Sequence, residues 1–409
     1  MEKINGGVCA ASGFQATGTV VGVKAGHTEK KDMAMVFSTE PCEAAGTFTS
    51  NLVKAAPVQW DKKIVASGKK VKAVLVNSGV ANACTGVKGL NDCDTLCEEV
   101  KQVAGITEDE VLICSTGVIG ANLPVEVMKS GIPTLYKELQ GNEEGARLAA
   151  EAIMTTDTVS KQAAVKTVIG GKEVVVGGMC KGSGMIHINM CTMLGFITTD
   201  VNISRELLQK ALSDVIKDTF NMVSVDGDTS TNDTVLLLAN GLAGNDKITE
   251  ENADYEEFKN ALFTVAKELS RKIAGDGEGA TALFEVNVIG AKTHEDAVTL
   301  SKSVITSSLT KAAIFGHDAN WGRILCALGY SGVVFDPEKV DIYFESSVGK
   351  LKIVEDGVAT DYSEEEATKI LSEKEVMCIC DMKMGEESAT AFGCDLTYDY
   401  VKINADYRS

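Results

Sequence analysis

Apolar and polar positions along this chain switch between a period of two and a period near 3.6, which predicts interleaved strands and helices. Residues 71–76 (VKAVLV) read as a strand, and the apolar positions of 92–104 recur at helical spacing. Residues 111–114 (VLIC) read as a short buried strand ending at Ser115-Thr116-Gly117. Helical spacing returns at 143–154, 204–220, 250–273, 296–307 and 363–372, with Ser204 and Ser363 at cap positions before their runs. The stretch 165–176 predicts a hairpin turning at Gly170-Gly171, and 340–354 predicts a second one. Apolar strands are expected at 235–238 and 283–288. With no internal repeat and no Pro-rich or low-complexity stretch, the pattern supports an α/β or α+β fold.

Composition narrows the function classes. A chain of 409 residues has room for two or three domains, and 44% hydrophobic with 24% charged residues is ordinary for a globular protein. The formal net charge of −19 argues against nucleic acid or anionic membrane as a partner, because both demand clustered Lys and Arg. Residues 1–7 (MEKINGG) lack the basic stretch and apolar core of a secretory signal, and no apolar run approaches a membrane span. The expectation is a soluble cytoplasmic protein. The twelve Cys include no CxxC pair, and His27, His187, His294 and His317 stand isolated, so no metal site is expected and the thiols read as reduced and mostly buried.

Three tempting motifs have plainer readings. Asp226, Asp228 and Asp233 in VDGDTSTNDT lack the EF-hand pattern and its closing Glu, and read as a turn rich in side-chain-to-backbone hydrogen bonds. His317, Asp318 and Asn320-Trp321 read as a packed turn at a helix start rather than a catalytic dyad. The GDGEGAT loop at 275–281 lacks GK[ST], and Glu278 at its tip would repel a phosphate, so it is not a nucleotide loop.

The segment 181–200, KGSGMIHINMCTMLGFITTD, carries the most information. A Gly-rich turn runs into apolar residues that hold one hydroxyl, Thr192, and the run closes on Thr198, Thr199 and Asp200. Taken alone, Thr192 reads as a β-branched strand residue. The segment resembles the signature of the ornithine acetyltransferase family (ArgJ type), whose members use a Thr nucleophile and cut their own chain before it. Matching pieces span the chain in order: GGVCAASGFQATG, AAGTFTSNLVKAAPV at 44–58, NSGVANACTG at 77–86, CSTGVIG at 114–120, VDGDTSTNDT at 225–234, GDGEGAT at 275–281, GHDANWGRI at 316–324 and the closing NADYRS.

The resemblance implies an αββα sandwich similar to N-terminal-nucleophile hydrolases, with smaller accessory lobes. It implies cleavage at Cys191–Thr192 into 1–191 and 192–409, which together form one catalytic unit, and an assembly of two such pairs (a heterotetramer). Thr116 and Gly117 then correspond to the oxyanion pair. Lys181, Thr155 (with Thr156 adjacent), Thr192, Glu278, Asn404 and Ser409 correspond to substrate-binding positions. The implied reaction moves an acetyl group from N2-acetylornithine to glutamate in arginine biosynthesis, without a dissociable cofactor and with acetyl-CoA open as a second donor. Three positions depart from the family pattern: Cys191 for Ala, Ile188 for Pro and Val80 for Asn.

The chemistry suits the residues. After cleavage Thr192 holds a free α-amino group, whose ordinary pKa of ~7.7–8.0 lets it take the proton of the adjacent hydroxyl. Before cleavage the same nitrogen is an amide and cannot act as a base. Attack by the Thr192 hydroxyl on the Cys191 carbonyl closes a five-membered ring, whereas the Cys191 sulfur would need a four-membered ring to reach its own carbonyl. Two other readings compete: an amidohydrolase or aminopeptidase of related fold with water as acceptor, and a non-catalytic binding protein left uncut because Cys191 blocks processing.

Overall fold

The computed structural model describes residues 1–24, 29–107, 110–187 and 193–405, so Ile188, Cys191, Thr192 and Ser409 lie outside the described residues. The chain forms two compact units, one from Met1–Gly182, Asn189–Asn221 and Thr229–Leu269, the other from Ser183–Ile188, Met222–Asp228 and Ser270–Ser409. The mixed α/β class is as the sequence pattern predicts.

In the first unit a nine-stranded sheet runs in the order Glu2–Ile4, Lys161–Ile169, Lys172–Lys181, Leu194–Thr199, Thr234–Ala239, Met33–Phe48, Val71–Val80 and Val111–Val118, with Phe14–Thr19 paired beside Met33–Phe48. The two central strands, LGFITT and TVLLLA, are buried along their whole length, as expected of parallel neighbours covered on both faces. Alternation sends successive side chains to opposite faces. Ala34, Val36, Val74 and Val76 join one apolar cluster with Ile64 and Ala146, while Met33, Met35, Ala73 and Leu75 join another with Leu96, Val100 and Ile132. Helices Ala56–Ser67 and Glu143–Ala152 thus contribute to one cluster, and Gly86–Ala104 and Val125–Lys137 to the other.

The second unit holds a six-stranded sheet in the order Val358–Ala359, Gly349–Glu355, Asp341–Ser346, Glu375–Asp381, Leu283–Ala291 and Glu387–Cys394, with helix His294–Thr306 packed on it. A short pair joins Ile186–His187 to Ser224–Thr229.

Local signals hold where their chemistry is explicit. The Gly170-Gly171 hairpin pairs Ile169 with Lys172 across two residues of positive φ, the geometry of a tight hairpin turn. Ser204 and Ser363 accept from the amides of Leu207 and Glu366 as helix caps, and Asn320 caps Trp321–Gly329 by accepting from Arg323. One expectation needs correcting. The strand that starts at Val111 does not end at Ser115 but runs through Thr116 and Gly117 to Val118, parallel to Val71–Val80 with Gly79 opposite Gly117. Two facing glycines permit this approach: a Cβ on Gly117 would stand 2.2 Å from the Gly79 carbonyl carbon, at φ +132°. The polar Ser115 is accommodated because its hydroxyl donates to Asn77 Oδ1 at 2.6 Å, and Asn77 Nδ2 donates to the Val80 carbonyl at 2.9 Å. Val80 itself packs into the apolar cluster around Leu75 and Ile113.

Replacing Gly117 by Ala combines backbone strain with overpacking and should cost about 2–4 kcal/mol. Denaturant midpoints of the two proteins measure it; an unchanged midpoint would contradict the close approach of Gly79 and Gly117.

Candidate active site

Strand Leu194–Thr199 starts two residues after Thr192, and three observations fix where it starts. Leu194 pairs with Lys181 on one side and with Thr234 on the other. The Thr234 amide donates to the carbonyl of Met193, the residue that follows Thr192 in the chain, at 3.1 Å. The far end of the strand is equally anchored: the Thr198 hydroxyl donates to the Val8 carbonyl (2.9 Å), and Asp200 accepts from the amides of Val175 (2.9 Å) and Ser12 (3.0 Å).

Asn232, two residues before Thr234, reaches across to the strand that carries Thr116 and Gly117. Its Nδ2 donates to the carbonyls of Ala81 (2.6 Å) and Ser115 (2.8 Å). Thr116 and Gly117 are half-buried, and among the described residues no hydrogen bond involves the Thr116 hydroxyl. Beneath them Asp61, on helix Ala56–Ser67, accepts from the Ile113 amide (2.8 Å) and the Cys114 thiol (3.4 Å). Complete burial pushes its carboxyl well above the ordinary range, an effect the two donors only partly oppose.

Lys181 and Thr155 meet at Asp157, which the sequence reading did not single out. The Asp157 carboxylate is buried, and accepts from Lys161 Nζ (2.7 Å), the Gly182 amide (2.7 Å) and the Thr155 amide (3.1 Å). Burial alone would raise its pKa. Lys181 and Lys161, joined by the hydrogen bonds, outweigh burial and hold it far below the usual carboxylate range. Lys181 Nζ lies 3.9 Å from the carboxylate, too far for a hydrogen bond, although its side chain is only 7% exposed. Lys30 adds a third ammonium, donating to the Thr155 carbonyl at 2.6 Å. One carboxylate thus serves two buried ammonium groups, and the surplus positive charge at Lys181 suits an incoming carboxylate.

The second unit gathers Glu278 and Asn404. Asn404 Nδ2 donates to Glu278 Oε2 at 2.7 Å, and the Glu278 amide donates to the Ser183 carbonyl at 3.0 Å. A Cβ on Gly184 would stand 2.2 Å from the Glu278 carboxylate, which would have to move to admit it. Asp226, in strand Ser224–Thr229 rather than in the expected turn, holds the same Gly-rich turn by accepting from the amides of Met185 (2.6 Å) and Ile186 (2.8 Å), the expected side-chain-to-backbone bonding. Thr397 donates to the Gly279 carbonyl at 2.8 Å and so pins the loop against the start of helix Tyr398–Ala405, which carries Asn404. The predicted positions Thr155, Lys181, Thr116 and Gly117 therefore fall in the first unit, and Glu278 and Asn404 in the second. Sequence reasoning passed over Asp157 and Lys161, which lie in an unremarkable TTDTVSK stretch, and over the reach of Asn232.

Asp157→Asn would remove the charge that Lys161 and Lys181 both face, and should cost about 3–5 kcal/mol at neutral pH. The sign follows from the depressed pKa: stability from this carboxylate is present above the unfolded value of ~3.9 and is lost only as pH falls toward the folded value. Thermal melts of both proteins from pH 7 down to pH 4 measure it. A gap that vanishes well above pH 4 would contradict the pairing.

Comparisons with known proteins give the family. The profile of the ArgJ family matches residues 15–409. An arginine biosynthesis bifunctional protein ArgJ from Caldanaerobacter subterraneus subsp. tengcongensis is 49% identical over 409 residues, 100% of both chains. The corresponding ArgJ 1 protein of Clostridium acetobutylicum is 50% identical over 396 residues, 97% of this chain and 96% of its own. The crystal structure of the bifunctional ArgJ protein from Bacillus halodurans is 47% identical with a TM-score of 0.50, covering 52% of this chain and 99% of that chain. That polypeptide is therefore itself about half the length of this one. On a match that runs nearly end to end, this chain belongs to the ArgJ family.

Proposed function

We propose that this protein is a self-processing acetyltransferase that moves the acetyl group of N2-acetylornithine to glutamate, in arginine biosynthesis, through an ester on Thr192. The observation that carries the reading is the start of strand Leu194–Thr199. The residue after Thr192 is fixed beside Lys181 and Thr234, and Asn232 links that place to the Ser115 carbonyl, next to Thr116 and Gly117.

Maturation begins when the Thr192 hydroxyl attacks the Cys191 carbonyl. The peptide becomes an ester by N-to-O shift, and water hydrolyses it to a Cys191 carboxylate and a free Thr192 amine. In turnover that amine takes the hydroxyl proton as Thr192 attacks the acetyl carbonyl. The Thr116 hydroxyl and Gly117 amide donate to the oxyanion, and ornithine leaves carrying the proton. The glutamate amine then attacks the ester, yielding N-acetylglutamate and restoring Thr192. Lys181 pairs with the α-carboxylate common to both substrates, with Thr155 beside it. Glu278 and Asn404 offer a carboxylate and an amide to the cationic or polar end of a substrate, and Ser409 belongs with them.

Relatives described as bifunctional support acetyl-CoA as a second acetyl donor, which makes the protein a glutamate N-acetyltransferase and an amino-acid N-acetyltransferase. It enters as a substrate; no resident cofactor is required. The half-length chain of the Bacillus halodurans structure supports division into 1–191 and 192–409. The two pieces remain one catalytic unit, paired again as a heterotetramer in the cytoplasm.

Intact mass under denaturing conditions should show two fragments meeting at Cys191–Thr192 for the native protein and one chain for Thr192→Ala. Acetylornithine should then add one acetyl group to the 192–409 fragment, and glutamate should remove it. Ornithine release that does not depend on glutamate would favour the hydrolase instead, and an uncut native chain would sink the mechanism. Lys181→Met should raise KM for both substrates roughly 10–100-fold, the worth of a charge-assisted hydrogen bond, with a smaller change in kcat. Steady-state kinetics decide it; an unchanged KM would remove Lys181 from the substrate.

A further inference from the structure

We infer that Asn232 is a positioning residue for the transfer reaction, a role that rests on the reading of Thr192, Thr116 and Gly117 given above. Its side chain ties the turn before Thr234 to the strand that carries Thr116 and Gly117. On one side, Asn232 belongs to the turn leading into Thr234–Ala239, whose first amide holds the Met193 carbonyl. On the other, its Nδ2 group donates to the carbonyls of Ala81, just past Val71–Val80, and of Ser115, inside Val111–Val118, the two parallel strands that place Gly79 opposite Gly117.

The side chain has no freedom to do otherwise. Asn232 is 6% exposed. Its Oδ1 accepts from the Thr231 hydroxyl at 2.6 Å, which fixes the amide so that both N–H bonds face the two carbonyls. Its own amide donates to the Ser230 hydroxyl at 3.2 Å, and its carbonyl accepts from the Thr234 hydroxyl at 3.1 Å. The turn is tied down on both flanks, by Thr49 donating to the Asp233 carbonyl and Ala55 to the Thr231 carbonyl.

Consider what the Ser115 contact controls. A trans peptide is planar, so holding the Ser115 oxygen fixes the plane that also contains the Thr116 nitrogen and Cα. The Thr116 side chain branches from that Cα, and pairing with Val71–Val80 carries the orientation on to the Gly117 amide. The Ser115 hydroxyl, bound to Asn77, holds the same residue from within the 1–191 fragment, while Asn232 holds it from the 192–409 fragment. Asn232 therefore sets the distance between a nucleophile on one fragment and its oxyanion donors on the other, without touching substrate.

The test uses the full protein and reads the half-reactions separately. Asn232→Asp keeps the shape, removes both donors and sets carboxylate oxygen against two carbonyls. Acetylation of Thr192 by acetylornithine and deacetylation by glutamate should each slow by about 100-fold, with half-saturating concentrations moving less than about threefold. Asn232→Ser, which keeps one donor, should lose about tenfold and carries the test where the Asp variant fails to fold or mature. Leu208→Ala, buried in helix Arg205–Lys217, lowers Tm without approaching the site and should leave both rates intact, which separates positioning from general destabilisation. Asp and Ser variants that both acetylate within about threefold of the native rate would overturn the role. A native protein that takes no acetyl group at all overturns the transfer reading and this inference with it, a result distinct from normal acetylation of native protein and variants alike.

Discussion

The sheet of the first unit depends on two strands being inserted into it from later in the chain. Leu194–Thr199 and Thr234–Ala239 lie side by side, between Lys172–Lys181 on one flank and Met33–Phe48 on the other. Every strand before residue 191 in this sheet sits on one side or the other of that pair. Remove it and the sheet falls into two pieces, with Phe196 and Leu236 withdrawn from an apolar cluster that also holds Val36, Val74 and Met179. Burial of that kind is worth about 1.5–3 kcal/mol for each large side chain, so the cohesion of the unit rests largely on this insertion.

The same insertion explains why the candidate site is where it is. The start of Leu194–Thr199 is the one place where a residue just after 191 meets Lys181 and Thr234 together. Charge is arranged there with economy. A buried carboxylate at Asp157 lets Lys161 and Lys181 remain in a dry setting, where an uncompensated charge is costly. Lys161 takes the short contact and Lys181 the long one, so that two ammonium groups share one carboxylate. In a chain of net charge −19, that local surplus of positive charge is a feature of the site and not of the surface at large.

Much of this was legible in the sequence, for physical reasons that differ by element. The helix caps at Ser204 and Ser363 and the Gly170-Gly171 turn depend on neighbours in sequence, so the residues state them directly. The strand through Thr116 did not read as one, because Ser-Thr-Gly is turn-like until a second glycine, Gly79, is brought opposite it by tertiary pairing. Strand Met33–Phe48 hides behind its own irregularity: Glu40-Pro41 interrupts the apolar alternation where its pairing with Val71–Val80 shifts register. For the site, Lys181, Thr155, Glu278 and Asn404 were named as candidates by resemblance. Asp157 and Asn232 were not, since their partners lie elsewhere in the chain and a lone Asp or Asn is ordinary in any turn.

The insertion also bears on what cutting the chain at residue 191 would do. Lys181 and Leu194 are direct partners in an antiparallel pair, so residues 182–193 close a loop between two positions already hydrogen-bonded together. The entropy of closing such a loop changes slowly with length and acts on the unfolded chain, at about 0.6 kcal/mol for each doubling. Breaking one peptide in it leaves all six residue pairs between Val176–Lys181 and Leu194–Thr199 in place, as well as the six between Thr234–Ala239 and Glu43–Phe48. A cut there would expose a new amine without loosening the sheet that follows it. The boundaries between the two compact units fall elsewhere, so cleavage separates no folded unit from another. A covalent break at residue 191 would thus be independent of the structural division, so that a nucleophile could be made there inside a finished fold.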